Sequence, residues 1–218
     1  MCKTTITLVT ALALAGCGGG SDGNPGDDAG PGTDGAATVD SSMTIDARTI
    51  DATTPDSSAG SFLLTSSALS EGMRFPNEYT CVGVDVSPAL AWTPGPAGTM
   101  SYALVLTDVT FNNFVHWVIW DIPTTTTPLE LPRAVPRTAT LTSPVGAKQC
   151  LSYQPTYGYR GPCTPMNVGI HNYRFTVYAL DVATLPGVTT STDRNAVRTQ
   201  ILAHDLAAAN LNGTFSQP

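Results

Sequence analysis

The chain has 218 residues, is 42% hydrophobic and carries a formal charge of −7 at pH 7. Residues 18–60 hold eight Asp against one Arg, so the acidity lies in that segment and the rest of the chain is close to neutral. This balance argues against nucleic-acid binding, which shows as basic patches or stripes, and the acidic segment opposes close approach to an anionic lipid surface.

Residues 1–17 read as a lipoprotein signal peptide. Lys3 is the only charge before a short apolar run, Ile6 to Leu14, far below the roughly twenty residues of a spanning helix. Leu14-Ala15-Gly16-Cys17 has the form of a lipobox, which makes Cys17 the expected lipidation site and Cys2 part of the removed signal. Gly18 follows that cysteine where some bacteria use an Asp for inner-membrane retention, which points to the outer membrane or cell surface. Residues 18–60 are rich in Gly, Asp, Ser, Thr and Ala and have no aromatic residue. A loose repeat runs through Thr38-Val39-Asp40, Thr44-Ile45-Asp46 and Thr49-Ile50-Asp51. Such a stretch buries too little apolar area to offset its ordering entropy and reads as a disordered spacer.

Residues 61–218 are long enough for one domain with its own core. Ser101 to Asp108 and Phe114 to Asp121 are mostly apolar runs suited to strands buried on both faces. Tyr173 to Leu180 alternates, with Tyr173, Phe175, Val177 and Ala179 on one side. Pro94-Gly95-Pro96, Pro123, Pro128, Pro132, Pro136 and Pro144 mark loops. A helix is predicted from Asn195 to Ala209, with Asp193 as N-cap and Val197, Ile201, Leu202, Leu206 and Ala209 on one stripe. The fold class is therefore mainly β: an antiparallel β-sandwich with long loops and a C-terminal helix. Of the three cysteines in this part, Cys150 and Cys163 flank a Gly-rich loop and are the expected disulfide, with Cys81 free.

The chemistry-bearing residues gather between 87 and 173. Asp108 closes one apolar run and His116 lies in the next, so the two could meet across a sheet edge as a carboxylate–imidazole pair, or serve as a turn cap and a core histidine. Gly158-Tyr159-Arg160-Gly161-Pro162 could turn backbone N–H groups toward a ligand, or be a plain turn. His171 and Tyr173, two apart in a strand, face the same side. Two imidazoles, a phenol and loop amides would make a donor-rich anion site. A hydrolase using Asp108 and His116 is disfavoured, since there is no G-x-S-x-G elbow and no H-E-x-x-H. No C-x-x-C is present for a zinc or thioredoxin-type site, and no cofactor or metal is expected.

One ordered set joins these pieces: Ser87-Pro88-Ala89-Leu90-Ala91-Trp92, Asp108, His116-Trp117-Val118, Gly158 to Pro165, and His171-Asn172-Tyr173. With Tyr79-Thr80-Cys81 upstream and His204 to Phe215 downstream, it resembles the phosphatidylethanolamine-binding proteins in their bacterial, Raf kinase inhibitor-like branch, from about Phe62 to the C-terminus. The resemblance implies one small surface pocket for phosphate, acetate or a phosphoethanolamine head group. Its residues here would be Asp108, His116, Gly161, Pro162, Cys163, Pro165, His171 and Tyr173. Thr164 replaces a proline of the family's loop. The family's D-P-D-A-P segment is Asp108-Val109-Thr110-Phe111-Asn112 here, without its second carboxylate or its prolines. His204 matches a position that is commonly histidine and reads as a helix-to-sheet hydrogen bond. The implied function is a membrane-tethered binding module, not an enzyme, whose partner is a small anion or phospholipid head group. A peptidase-inhibitor or other protein-interaction module using the loops is the alternative.

Overall fold

The computed structural model describes residues 60–217. The expected signal peptide, the expected lipidation site Cys17 and nearly all of the expected spacer lie outside the described residues. The strands are β1 (Leu64–Thr65), β2 (Met73–Arg74), β3 (Leu90–Trp92), β4 (Ser101–Asp108), β5 (Phe114–Pro123), β6 (Glu130–Leu131), β7 (Thr140–Thr142), β8 (Val145–Gln149), β9 (His171–Leu180) and β10 (Asp205–Phe215). Among the described residues one α-helix, α1 (Arg194–Ala203), precedes β10, and a single 3-10 turn spans Asn77–Tyr79.

Seven strands form a large sheet in the order β2-β10-β9-β4-β5-β8-β7, antiparallel except for β2 beside β10. The small sheet is β1-β3-β6. The apolar runs of β4 and β5 take the middle because both of their faces are covered. Leu104, Leu106, Trp117, Ile119, Phe175 and Val177 pack toward Leu64, Leu90, Trp92 and Leu131 of the small sheet. On the other face, Val105, Val118, Trp120, Tyr178 and Leu180 pack against Val197 and Ile201 of α1. Tyr173, Phe175, Val177 and Ala179 share the inter-sheet face, as their alternation predicts.

The predicted helix runs too far. Asp193 does cap it, its side chain accepting from Asn195 N at 2.8 Å. The helix ends at Ala203, leaving Leu202 48% and Leu206 43% exposed, and Ala209 belongs to β10. From Ala207 the buried positions alternate through Ala209, Leu211, Gly213 and Phe215, a strand period. This segment fills the place beside β9, whose backbone groups would otherwise lack partners on that side. The turn is held by His204, whose Nδ1 lies 2.8 Å from Asp181 Oδ1, the helix-to-sheet role expected of it.

The disulfide also differs from the sequence expectation. Cys81 and Cys163 are bonded, with Cα atoms 5.3 Å apart, and Cys150 is free and buried. Pleating explains this. Ala147 and Gln149 face the inter-sheet side, where Gln149 Oε1 accepts from Trp117 Nε1 at 2.7 Å. Cys150 therefore points to the helix-covered face, beside Trp120 and Val197, away from Cys163. Burial pushes its thiol up to about 12.

Candidate functional site

The site lies where the ends of β4, β5 and β9 meet. Asp108, the last residue of β4, pairs in register with Phe114 of β5 and Tyr173 of β9. The β4–β5 register slips here: Leu106 pairs with Trp117 but Thr107 with Val115, which leaves His116 as the extra residue of a β-bulge. The bulge breaks strict alternation and re-aims His116 toward Tyr173, ring centroids 5.3 Å apart, on the side that Trp117 also faces.

Asp108 does not pair with His116. Its Oδ2 lies 2.6 Å from Nδ1 of His171, and its Oδ1 accepts from Phe111 N at 2.9 Å, closing the turn after β4. The Asp108–His116 acid–base pair considered from the sequence is therefore not formed as a hydrogen bond. His116 instead donates from Nδ1 to the Gly161 carbonyl at 3.0 Å. A carbonyl only accepts, so Nδ1 holds the hydrogen and Nε2 keeps its lone pair. His116 is 4% exposed, with Phe114, Tyr153 and Tyr173 against its ring at centroid distances of 5.4, 5.0 and 5.3 Å. Burial pushes the His116 pKa down to about 4, against the weaker opposing pull of the Asp108 charge and of backbone carbonyls. His116 is thus neutral around pH 7 and presents an acceptor, where the sequence suggests a donor.

Tyr173 shares the side of His171, the two rings stacked at 6.4 Å. It is buried behind the cavity, and its hydroxyl accepts from Cys163 N at 3.3 Å. Burial first, then the Asp108 charge, holds the phenol protonated. The loop amides expected to face a ligand are also engaged: Gly161 N donates to Asp85 Oδ1 at 2.8 Å, and Cys163 N to Tyr173.

Asp85 is the residue that sequence reasoning missed. Buried two positions before Ser87-Pro88, it takes Arg160 Nη1 at 2.7 Å, Arg137 Nη2 at 3.0 Å and the Gly161 amide. It thereby fixes the loop that orients His116. Gly161 is required at this point, because a Cβ there would collide with the Tyr79 carbonyl.

The resulting cavity, about 330 Å³, is lined by Phe111, Phe114, His116, Tyr153, Cys163, Pro165, Val168 and His171. Of the eight expected ligand-binding residues, His116, Cys163, Pro165 and His171 line it. Asp108, Gly161, Pro162 and Tyr173 stand behind as supports. Phe111, Phe114, Tyr153 and Val168 make it far more apolar than the polar motifs suggest, and Phe111, Tyr153 and Val168 lie in loops where no periodicity announces them. Among the described residues no cluster of His, Cys, Asp and Glu could hold a metal ion, and no helix is long and apolar enough to cross a membrane.

The sequence and the fold are both similar to those of known proteins. The chain is 34% identical over 154 residues to a UPF0098 protein of Aquifex aeolicus, covering 70% of this chain and 86% of that one. It is 33% identical over 181 residues to a Mycobacterium tuberculosis protein bearing the lipoprotein name LppC, covering 82% and 79%. The crystal structure of Escherichia coli YbcL, described as a member of the mammalian PEBP family, superposes with a TM-score of 0.66 at 27% identity, covering 72% of this chain and 99% of that one. CT736 of Chlamydia trachomatis, a homologue of the same family, gives 0.59 at 27% identity over the same shares. Residues 65–216 match the phosphatidylethanolamine-binding protein family along the same β-sandwich that carries the cavity, and the chain belongs to that family.

Proposed function

We propose that this protein is a lipid-anchored binding module of the cell envelope whose cavity takes a small phosphorylated head group of the phosphate or phosphoethanolamine type. One observation carries the reading. Two histidines lining one cavity each have Nδ1 held by the protein, His116 by Gly161 and His171 by Asp108, which leaves two Nε2 atoms for one ligand. The lipobox at Cys17 and the similarity to LppC support the anchor, with the outer membrane or cell surface as its place.

The test is calorimetric titration of the full chain with phosphate and phosphoethanolamine at pH 7. Saturable heat is expected. His116→Ala, removing one neutral hydrogen bond, should weaken binding about tenfold without loss of fold. Absence of heat at millimolar ligand would refute the reading.

A further inference from the structure

The tautomer of His116 restricts what the cavity can accept. We propose that the site selects a phosphate monoester bearing an apolar substituent over the corresponding diester, because His116 requires a proton from its ligand. This rests on the phosphate-site reading and narrows it.

The Gly161 carbonyl fixes the hydrogen on Nδ1, so Nε2 can only accept while the ring is neutral. Each neighbour of the ring matters to that neutrality. Phe114 of β5, Tyr153 of the loop after β8 and Tyr173 of β9 exclude water. Arg194, at the start of α1, stands over Phe114 and its charge opposes a second cation. Asp108 of β4 favours an imidazolium, but its carboxylate is already held by His171 and by the Phe111 amide. Any charge on His171 is offset by the same Asp108. The cavity lining therefore carries no net positive charge that would reward a fully ionised anion.

A diester presents only acceptor oxygens, so one of them would face the Nε2 lone pair inside a desolvated site. A monoester in its monoanionic form keeps one P–OH, which donates to Nε2 of His116, while a remaining oxygen accepts from Nε2 of His171 in the imidazolium form that Asp108 counterbalances. The ester substituent then meets Phe111, Phe114, Tyr153 and Val168, which offer no polar partner beyond the tyrosine hydroxyl. Phe111 is 62% and Val168 56% exposed, flanked by the exposed Met166 and Ile170, so the apolar lining continues to the mouth.

Three probes decide it on the full-length protein: inorganic phosphate, octyl phosphate and methyl octyl phosphate, each titrated at pH 5.5 and pH 8. At pH 5.5 octyl phosphate should bind at least about tenfold more tightly than its methyl diester and than inorganic phosphate. Between pH 5.5 and 8 its affinity should fall about eightyfold, following the loss of the monoanion with a second pKa of about 6. The diester has a fixed charge, so its profile isolates any change in the protein, and the monoester's fall is read relative to it. His116→Gln, whose amide can donate, should bring the monoester-to-diester ratio toward one. Equal affinities of native protein for both esters, with parallel pH profiles, would overturn the selectivity while leaving the phosphate site standing. Failure of all three probes to bind would overturn the phosphate site itself.

Discussion

Two adjacent stretches of one connection behave oppositely. From Tyr159 to Thr164 nearly every residue is fastened. Tyr159 Oη donates to the Tyr79 carbonyl at 2.7 Å, Arg160 and Gly161 are tied to Asp85, the Pro162 carbonyl accepts from Cys81 N at 3.1 Å, and Cys163 is in the disulfide. From Pro165 to Ile170 every residue is exposed, including Met166, Val168 and Ile170. The first stretch sets the tautomer of His116 and the second forms part of the cavity mouth. Fixed polar geometry and an adaptable apolar edge are thus supplied by consecutive residues, which lets one be altered without the other.

That contrast can be broken most strongly at the disulfide. Replacing Cys81 and Cys163 by Ser opens a loop of 82 residues and should cost about 4 kcal/mol in the chain-entropy model. For a domain of this size that lowers the melting temperature by roughly 10 °C, read by calorimetry or circular dichroism. An unchanged melting temperature would mean that the hydrogen bonds alone fasten the loop. Acid should act next. Unfolded His116 titrates near 6.5 and folded His116 near 4, so the unfolded chain takes up the proton first. The stability tied to neutral His116 is complete above pH 6.5 and is lost as pH falls toward 4, about 3 kcal/mol over that window. Denaturant unfolding from pH 7 to pH 4 measures this, and His116→Gln should remove that part of the slope. The rim should give the smallest effect. Val168→Ser and Ile170→Ser should each change stability by less than about 0.5 kcal/mol, while weakening an alkyl phosphate more than inorganic phosphate.

The sequence carried the frame well because burial on both faces leaves a strong mark. The bounds of β4 were read directly as Ser101–Asp108, and β9 differs only by the two polar residues at its start. The helix end is not legible because Leu202, Leu206 and Ala209 satisfy helical spacing as well as the chain's actual turn into β10. Only the need of β9 for a backbone partner separates the two, and that need is a tertiary fact. The site residues were legible as a set, yet their pairing was not. A β-bulge at His116 and the pleat at Cys150 each hinge on one residue of register, which no spacing in the sequence encodes. Asp85 has no period or motif of its own to mark it, so the residue that organises the loop is not legible in the sequence.

The Cys81–Cys163 bond makes residues 81–163 a closed covalent ring, with β9, α1 and β10 as a linear tail. A single peptide-bond cleavage anywhere inside the ring leaves the molecule in one piece. The two histidines of the cavity fall on opposite sides of this division, His116 in the ring and His171 in the tail. A single cut between Cys163 and His171 parts them into separate chains, and Pro165 to Ile170 is the exposed part of that stretch. The mouth of the cavity is therefore also the place where a protease could dismantle it, and a ligand's substituent seated over Val168 would shield that segment.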